Sequence, residues 1–326
     1  MSGDSRPRAA AGADAAGAPS RLVPALLLLF LGTIWGLNAS VAKLAGQNGV
    51  QPIGLAAWQM SGAAVVTLIA ARAAGLQVRF DRAHWRYYLV VGLIGTAAPN
   101  VNMVNALNHL PAGLLMIGLS TVPLFSYLMS LAVRLERFDR LRLGGVLLGF
   151  AGVLTIVLPE ASLPEADDAL WFLIGLLTPL LYGFSSVATA KLRPADASSL
   201  PLAAGMLLVI ALALWPTAWA AGHVYAPGWP IGEGPERTAA LALAGVIAVS
   251  SIAYILYFEI VRMAGPVAVS VVGYVVTCTG IGWGMLFFDE RHSPFVWAGV
   301  AVIFAGLALV NKRQTRAAIL GTGSPN

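Results

Sequence analysis

Between residues 22 and 311 the chain is a succession of apolar runs of about 20 residues, each the length a helix needs to cross the ~30 Å hydrocarbon core of a bilayer. The breaks between them are short and charged or rich in Pro and Gly. This spacing predicts ten membrane helices, at 22–44, 52–71, 88–107, 112–133, 143–158, 170–190, 201–221, 239–261, 266–288 and 294–311. The fifth and tenth are shorter than the rest, and flanking Arg and Lys that snorkel towards water would extend them. Ten crossings consume roughly 200 residues, which leaves loops and tails but no soluble domain. Composition agrees. The chain is 58% hydrophobic and 11% charged, where a soluble domain carries about 25% charge. Residues 1–20 are Ala-, Gly- and Pro-rich without apolar periodicity and are expected to form a flexible tail.

Charge orients the helices. With the N-terminus in the cytoplasm, 17 of the 20 Lys and Arg fall in the two tails or in cytoplasmic loops, as the positive-inside rule requires. Arg237 and Arg291 fall in outer loops and Lys43 lies within the first run. A cleavable signal peptide ending near Ser40-Val41-Ala42 is disfavoured, because the first run is long for a signal sequence and its removal would invert the charge pattern. The net charge of +5 is thereby accounted for by orientation, and no Lys/Arg cluster with interleaved aromatics points to nucleic acid. One cysteine, Cys278, cannot make an intramolecular disulfide, and four scattered histidines lack metal-ligand spacing, so neither metal nor other cofactor is expected.

The sequence also repeats itself. At an offset of 154 residues Glu136-Arg137 falls on Glu290-Arg291, Gly145 and Gly152 fall on Gly299 and Gly306, and Ser120 and Pro123 fall on Tyr274 and Thr277. Earlier in each half, Trp35-Gly36 followed by Lys43 matches Tyr182-Gly183 followed by Lys191, with the lysine spacing differing by one. Two halves of five helices each insert with opposite orientation, so the expected fold is all-α integral membrane, ten transmembrane helices as two inverted five-helix repeats, residues 21–158 and 170–312, with a cytoplasmic tail at 313–326. Such repeats place substrate sites near the membrane midplane where the halves meet.

The early Trp-Gly with its Lys, the Ala-Leu-x-x-x-Pro-Ala-Gly stretch from Ala106, Pro123, and the Glu-Arg pair ahead of a Gly-rich run resemble EamA-type members of the drug/metabolite transporter superfamily. The resemblance implies an inner-membrane carrier with a central cavity, exporting amino acids or other small metabolites. Two positions depart from that pattern: Trp58-Gln59 stand where relatives often carry an arginine, and Thr277 replaces the second-half proline.

Polar residues at membrane depth usually face a bundle interior or a wet cavity. The expected substrate-facing set is Trp35, Asn38, Gln59, Asn102, Asn105, Tyr182, Ser185, Tyr254, Tyr257, Tyr274 and Thr277, an aromatic-walled cavity with sparse amides and hydroxyls. For Asn102 and Asn105 interhelical hydrogen bonding is an equal alternative. Lys43, Lys191, Glu259 and Pro123 are coupling or gate candidates, although snorkelling accounts for the lysines and an i, i+3 pair with Arg262 for Glu259. Glu136 and Glu290 are read as loop-edge residues without substrate contact. Gly145, Gly149 and Gly152 form a small-residue face for helix contact, or equally a homodimer seam. Gly282 is expected to let the ninth helix bend, so that Gly282→Leu impairs cycling. No Walker-type loop is present, and no nucleophile–base pair or metal cluster supports an enzyme. A transporter for a small-molecule substrate is favoured over a lipid-handling scaffold or a channel.

Overall fold

The computed structural model describes residues 22–158, 168–226, 228, 232–269 and 272–320; side chains are described throughout these except at 22, 24, 25, 157, 258, 261–269 and 311–320. The expected N-terminal tail and most of the acidic outer loop lie outside them. The described residues are helical, with no strand. In the first half, α1 (Leu22–Gln47) and α2 (Pro52–Ala73) precede a rod made of α3 (Arg82–Tyr87), a π-helical stretch (Tyr88–Ala97) and α4 (Ala98–Leu107); α5 (Ala112–Leu119), α6 (Val122–Ala132) and α7 (Arg140–Val157) follow. The second half contains α8 (Asp168–Gly175), α9 (Leu177–Leu192), α10 (Ser199–Ala220), α11 (Pro235–Val269), α12 (Val272–Phe288) and α13 (Pro294–Leu320). Seven helical rods are long and apolar enough to cross a membrane, and Val272–Phe288 and Pro294–Val310 are shorter apolar helices.

Local chemistry sets the element ends. Proline opens α2, α11 and α13, where its missing N–H is harmless. The Asp81 and Asp139 carboxylates accept from the free N–H groups of α3 and α7 at 2.8–3.2 Å. Gly75 and Gly222 turn the chain out of α2 and α10 at φ +69°. The π-helical stretch stands directly before Pro99, whose ring cannot tolerate the carbonyl four residues back in a regular helix. Two differences from the expected spans stand out: α11 continues through Gly265-Pro266 to Val269, and α13 continues to Leu320.

Packing reproduces the repeat. Helix α1 packs on α11 and α12, while its sequence counterpart α9 packs on the π-helical stretch and α6, the corresponding elements of the other half. The α7–α13 crossing is the most direct case. A Cβ on Gly145 would lie 2.6 Å from the Gly306 carbonyl and one on Gly152 2.8 Å from the Gly299 carbonyl; the reverse substitutions meet the same partners. Since Gly145 corresponds to Gly299 and Gly152 to Gly306, each contact is the other turned over, as an inverted repeat requires. The small-residue face read as a helix contact or a homodimer seam is therefore occupied within the chain, by α13.

Candidate functional site

The two halves line a cavity of about 520 Å³ between α5, α6, α7, α9, α12 and α13, with Trp35 of α1 in its wall. Its walls are aromatic: Trp35, Tyr127, Tyr182 and Tyr274. The Tyr257 ring, 5.9 Å away and tilted 44°, holds Trp35 in place, and Phe304 meets Tyr274 edge-on at 5.6 Å. Ser126, Ser130, Ser186 and Thr277 add hydroxyls, and Pro123, in the first turn of α6 beyond the Ser120–Thr121 break, forms part of the wall. The Thr277 hydroxyl donates back to the Gly273 carbonyl at 2.9 Å, and α12 runs unbroken through this position because threonine has the backbone N–H that proline lacks.

At the mouth of the cavity stand Glu136 and Arg142. Arg142 Nη1 donates to Glu136 Oε2 at 2.8 Å, its Nε donates to the Val310 carbonyl at 3.1 Å, and its guanidinium lies 5.2 Å from the centre of the Tyr127 ring. The Arg142 side chain is buried, at 10% exposure, while that of Glu136 is 40% exposed. The sequence places neither residue in a cavity wall; the signal that points to them is the recurrence of glutamate at both repeat positions.

The opposite end is closed. Lys43 Nζ lies 2.8 Å from Glu290 Oε1 and over the Phe288 ring at 4.7 Å. The same carboxylate accepts from the backbone N–H groups of Ala112 at 2.6 Å and Gly113 at 2.9 Å, the first turn of α5, where the helix dipole favours a negative charge. Lys43 and Glu290 side chains are 10% and 6% exposed. Lys43 therefore does not snorkel; it reaches across the repeat boundary, and Glu290 is an interior residue although it belongs to a short connection. The His292 ring lies against Gly113, and its Nε2 is 3.9 Å from Glu290 Oε2, beyond hydrogen-bond reach. Burial holds its imidazole below the ordinary histidine range, with Glu290 opposing the shift and Lys43 adding to it.

Of the expected residues, the structure brings Trp35, Tyr182, Tyr274, Thr277 and Pro123 to the cavity, with Tyr257 directly behind Trp35. Others are placed in helix contacts. Gln59 Nε2 donates to Ser250 Oγ at 2.7 Å, and Ser250 donates to Asn38 Oδ1 at 3.2 Å, tying α2, α11 and α1. Asn102 donates to Thr178 Oγ1 at 2.8 Å and to the Ile174 carbonyl at 3.0 Å, joining α4 to α9 and α8. Ser185 packs where a Gly95 side chain would be, and Tyr254 packs against the apolar cluster of α2 and α10. Asn105 is half-buried on α4, Lys191 is exposed, and Glu259 is half-buried on α11 with its expected partner Arg262 outside the described side chains. Trp58 donates to the Tyr225 carbonyl at 2.8 Å and meets Trp215 edge-on, away from the cavity. Among the described residues no three His, Cys, Asp or Glu side chains gather where a metal ion could bind.

An all-helical fold of two repeats, rich in membrane-length helices and holding an aromatic cavity between its halves, is an architecture suited to a membrane transporter. The EamA-like transporter family model matches twice, at residues 22–158 and 169–312, and the chain belongs to that family, within the drug/metabolite transporter superfamily. No protein of curated function matches the sequence. Fifteen chains of solved structures match the fold; one of these, described only as a crystal structure of a protein, has a TM-score of 0.60 over 91% of this chain and 99% of its own at 20% identity, a likeness of fold alone.

Proposed function

We propose that the chain is a secondary carrier that crosses the inner membrane ten times, with both termini in the cytoplasm, and exports a small amphipathic metabolite, an amino acid or a related compound, by alternating access. The observation that carries this reading is the asymmetry of the molecule: a cavity reachable at the Glu136 end and sealed at the Lys43 end, between halves related by inversion. In the orientation set by the positive-inside rule the open end is cytoplasmic, the side from which an exporter loads. The volume is in the range that takes a small molecule. Four aromatic rings offer apolar and stacking contact, and hydroxyls offer hydrogen bonds. The charged side chains that line the cavity, Glu136 and Arg142, are paired with each other, which suits a zwitterion or an amphipath better than a polyanion.

Counterflow in proteoliposomes tests the proposal. Vesicles preloaded with unlabelled amino acid should transiently accumulate the labelled compound above its equilibrium level, without ATP. A lipid-handling or scaffold protein, the alternative, would show no counterflow with any member of a metabolite panel, and a channel would equilibrate label without overshoot.

A further inference from the structure

The sealed end and the open end are built from equivalent residues in different arrangements. Glu290 and Glu136 correspond in the repeat, and so do Lys43 and Lys191, within one residue. At the sealed end the repeat-crossing pair is formed, Lys43 to Glu290 at 2.8 Å, with the carboxylate also seated on the first turn of α5. At the open end the equivalent pair is not: Glu136 instead meets Arg142 at 2.8 Å within its own half, and Lys191 is exposed. Around the sealed pair the backbones are in close approach. A Cβ on Gly284 would lie 2.4 Å from the Glu290 carboxylate and 3.0 Å from the Gly113 nitrogen, one on Gly280 would lie 2.4 Å from Met116, and one on Gly36 would lie 2.8 Å from the Gly280 nitrogen. The corresponding stretch at the other end of α12, around Gly273 and Tyr274, borders the cavity.

We propose that Glu290 and Glu136 are the two positioning residues of the transport cycle, each sealing its own end by an ion pair across the repeat boundary: Glu290 with Lys43 in the state described here, and Glu136 with Lys191 in the opposite state, after Glu136 leaves Arg142. The chemistry suits a latch. A buried ion pair whose carboxylate also accepts two backbone N–H groups is satisfied only when α1, α5 and the α12–α13 connection are together, and leaving either partner alone in the interior is costly. In the state described here Arg142 gives Glu136 a resting partner, so both carboxylates are compensated. Opening one latch while closing the other exchanges one repeat-crossing glutamate–lysine pair for another, which keeps the two states within reach of each other, as a cycle requires. The proposal rests on the alternating-access reading of the same cavity and deepens it by assigning the residues that hold each end shut.

Accessibility of single cysteines tests the latch without a substrate. In a Cys278→Ser background, M116C reports on the sealed end, where Met116 is buried against Gly280, and S130C reports on the cavity. A membrane-impermeant maleimide, applied to inside-out and right-side-out vesicles, should label S130C from one face and M116C from neither. Adding Glu290→Gln, which keeps an acceptor for α5 but removes the charge that holds Lys43, should raise M116C labelling from the opposite face about tenfold or more, a population shift of the size that about 1.4 kcal/mol produces. Lys43→Met should do the same and serves where Glu290→Gln fails to reach the membrane; Glu290→Asp should restore most of the protection. Glu136→Gln should leave M116C unreactive, because it disables the other latch. If M116C stays unreactive in both Glu290→Gln and Lys43→Met while S130C remains labelled, or if Glu136→Gln exposes M116C equally, the latch is wrong. Transport is measured separately, so absent counterflow with the expected labelling removes the carrier reading alone, and intact counterflow with no change in labelling removes the latch alone.

Discussion

Gln59 on α2 and Ser250 on α11 share a buried 2.7 Å hydrogen bond, and the Ser250 hydroxyl passes its own hydrogen to Asn38 on α1. Three helices that are not all neighbours in sequence are joined by one chain of donors and acceptors, none of which lines the cavity. Ser250→Ala removes the middle member, leaving two buried amides short of a partner. We expect a loss of about 1–2 kcal/mol, given ~0.6 kcal/mol per interhelical bond plus the cost of unsatisfied groups. Thermal unfolding in detergent should register it as a lower Tm, with counterflow per folded molecule unchanged.

The cavity walls should respond in the opposite way. Trp35→Ala and Tyr274→Ala remove rings facing the 520 Å³ space and should lower counterflow tenfold or more, on the order of the 1–3 kcal/mol that a buried aromatic contributes, while Trp35→Phe retains much of the activity. Tyr254→Ala, in the apolar cluster with α2 and α10, should lower Tm and leave transport per folded molecule near that of the unchanged protein.

Two neighbouring glycines of α12 separate packing from flexibility. The sequence points to Gly282 as the sensitive position, yet it is exposed and a Cβ placed there would meet no atom within 4 Å, whereas a Cβ on Gly284 would press on Glu290. Gly282→Leu should therefore be close to neutral in both expression and counterflow. Gly284→Ala should destabilise by about 1–3 kcal/mol, the range for overpacking a tight contact, measured by the same thermal assay.

Acidification should loosen the sealed end. The His292 imidazole is held below its ordinary value of 6.5, chiefly by burial, and it faces Lys43 from α1, Glu290 from its own connection and the Trp297 ring of α13. A histidine with a depressed folded pKa adds stability that is present above pH 6.5 and lost as pH falls through the lowered value, because the unfolded chain takes up the proton first. Tm should drop between about pH 7.5 and pH 5.5, and His292→Gln should flatten that part of the profile.

A helical membrane chain in two repeats is legible in the sequence because apolar runs of membrane length and a repeat at fixed offset are both one-dimensional signals. Trp35, Tyr182, Tyr274 and Thr277 can be singled out as polar or aromatic residues at depth that lie at repeat-matched positions, Trp35 with Tyr182, Tyr274 with Ser120 and Thr277 with Pro123. Asn38, Gln59 and Asn102 carry the same signature yet act between helices, and residue type alone does not distinguish an amide that faces a cavity from one that faces a neighbour. Glu290 escapes a sequence reading for a different reason. Its position next to a connection suggests water, and only the three-dimensional path of that connection, folded inward onto the first turn of α5, makes it interior. Arg142 likewise counts as a loop charge until the approach of α13 buries it.

In the proposed alternating-access cycle the glycine crossing of α7 and α13 has a special place. Inversion turns Gly145 against Gly306 into Gly299 against Gly152, a pair that is already in contact. The crossing is thus its own image, and a cycle of the proposed kind would use it as a fulcrum, with the remaining helices rocking about it while its own geometry stays constant. A cross-link at this point would fasten the two halves together and still leave the molecule free to turn.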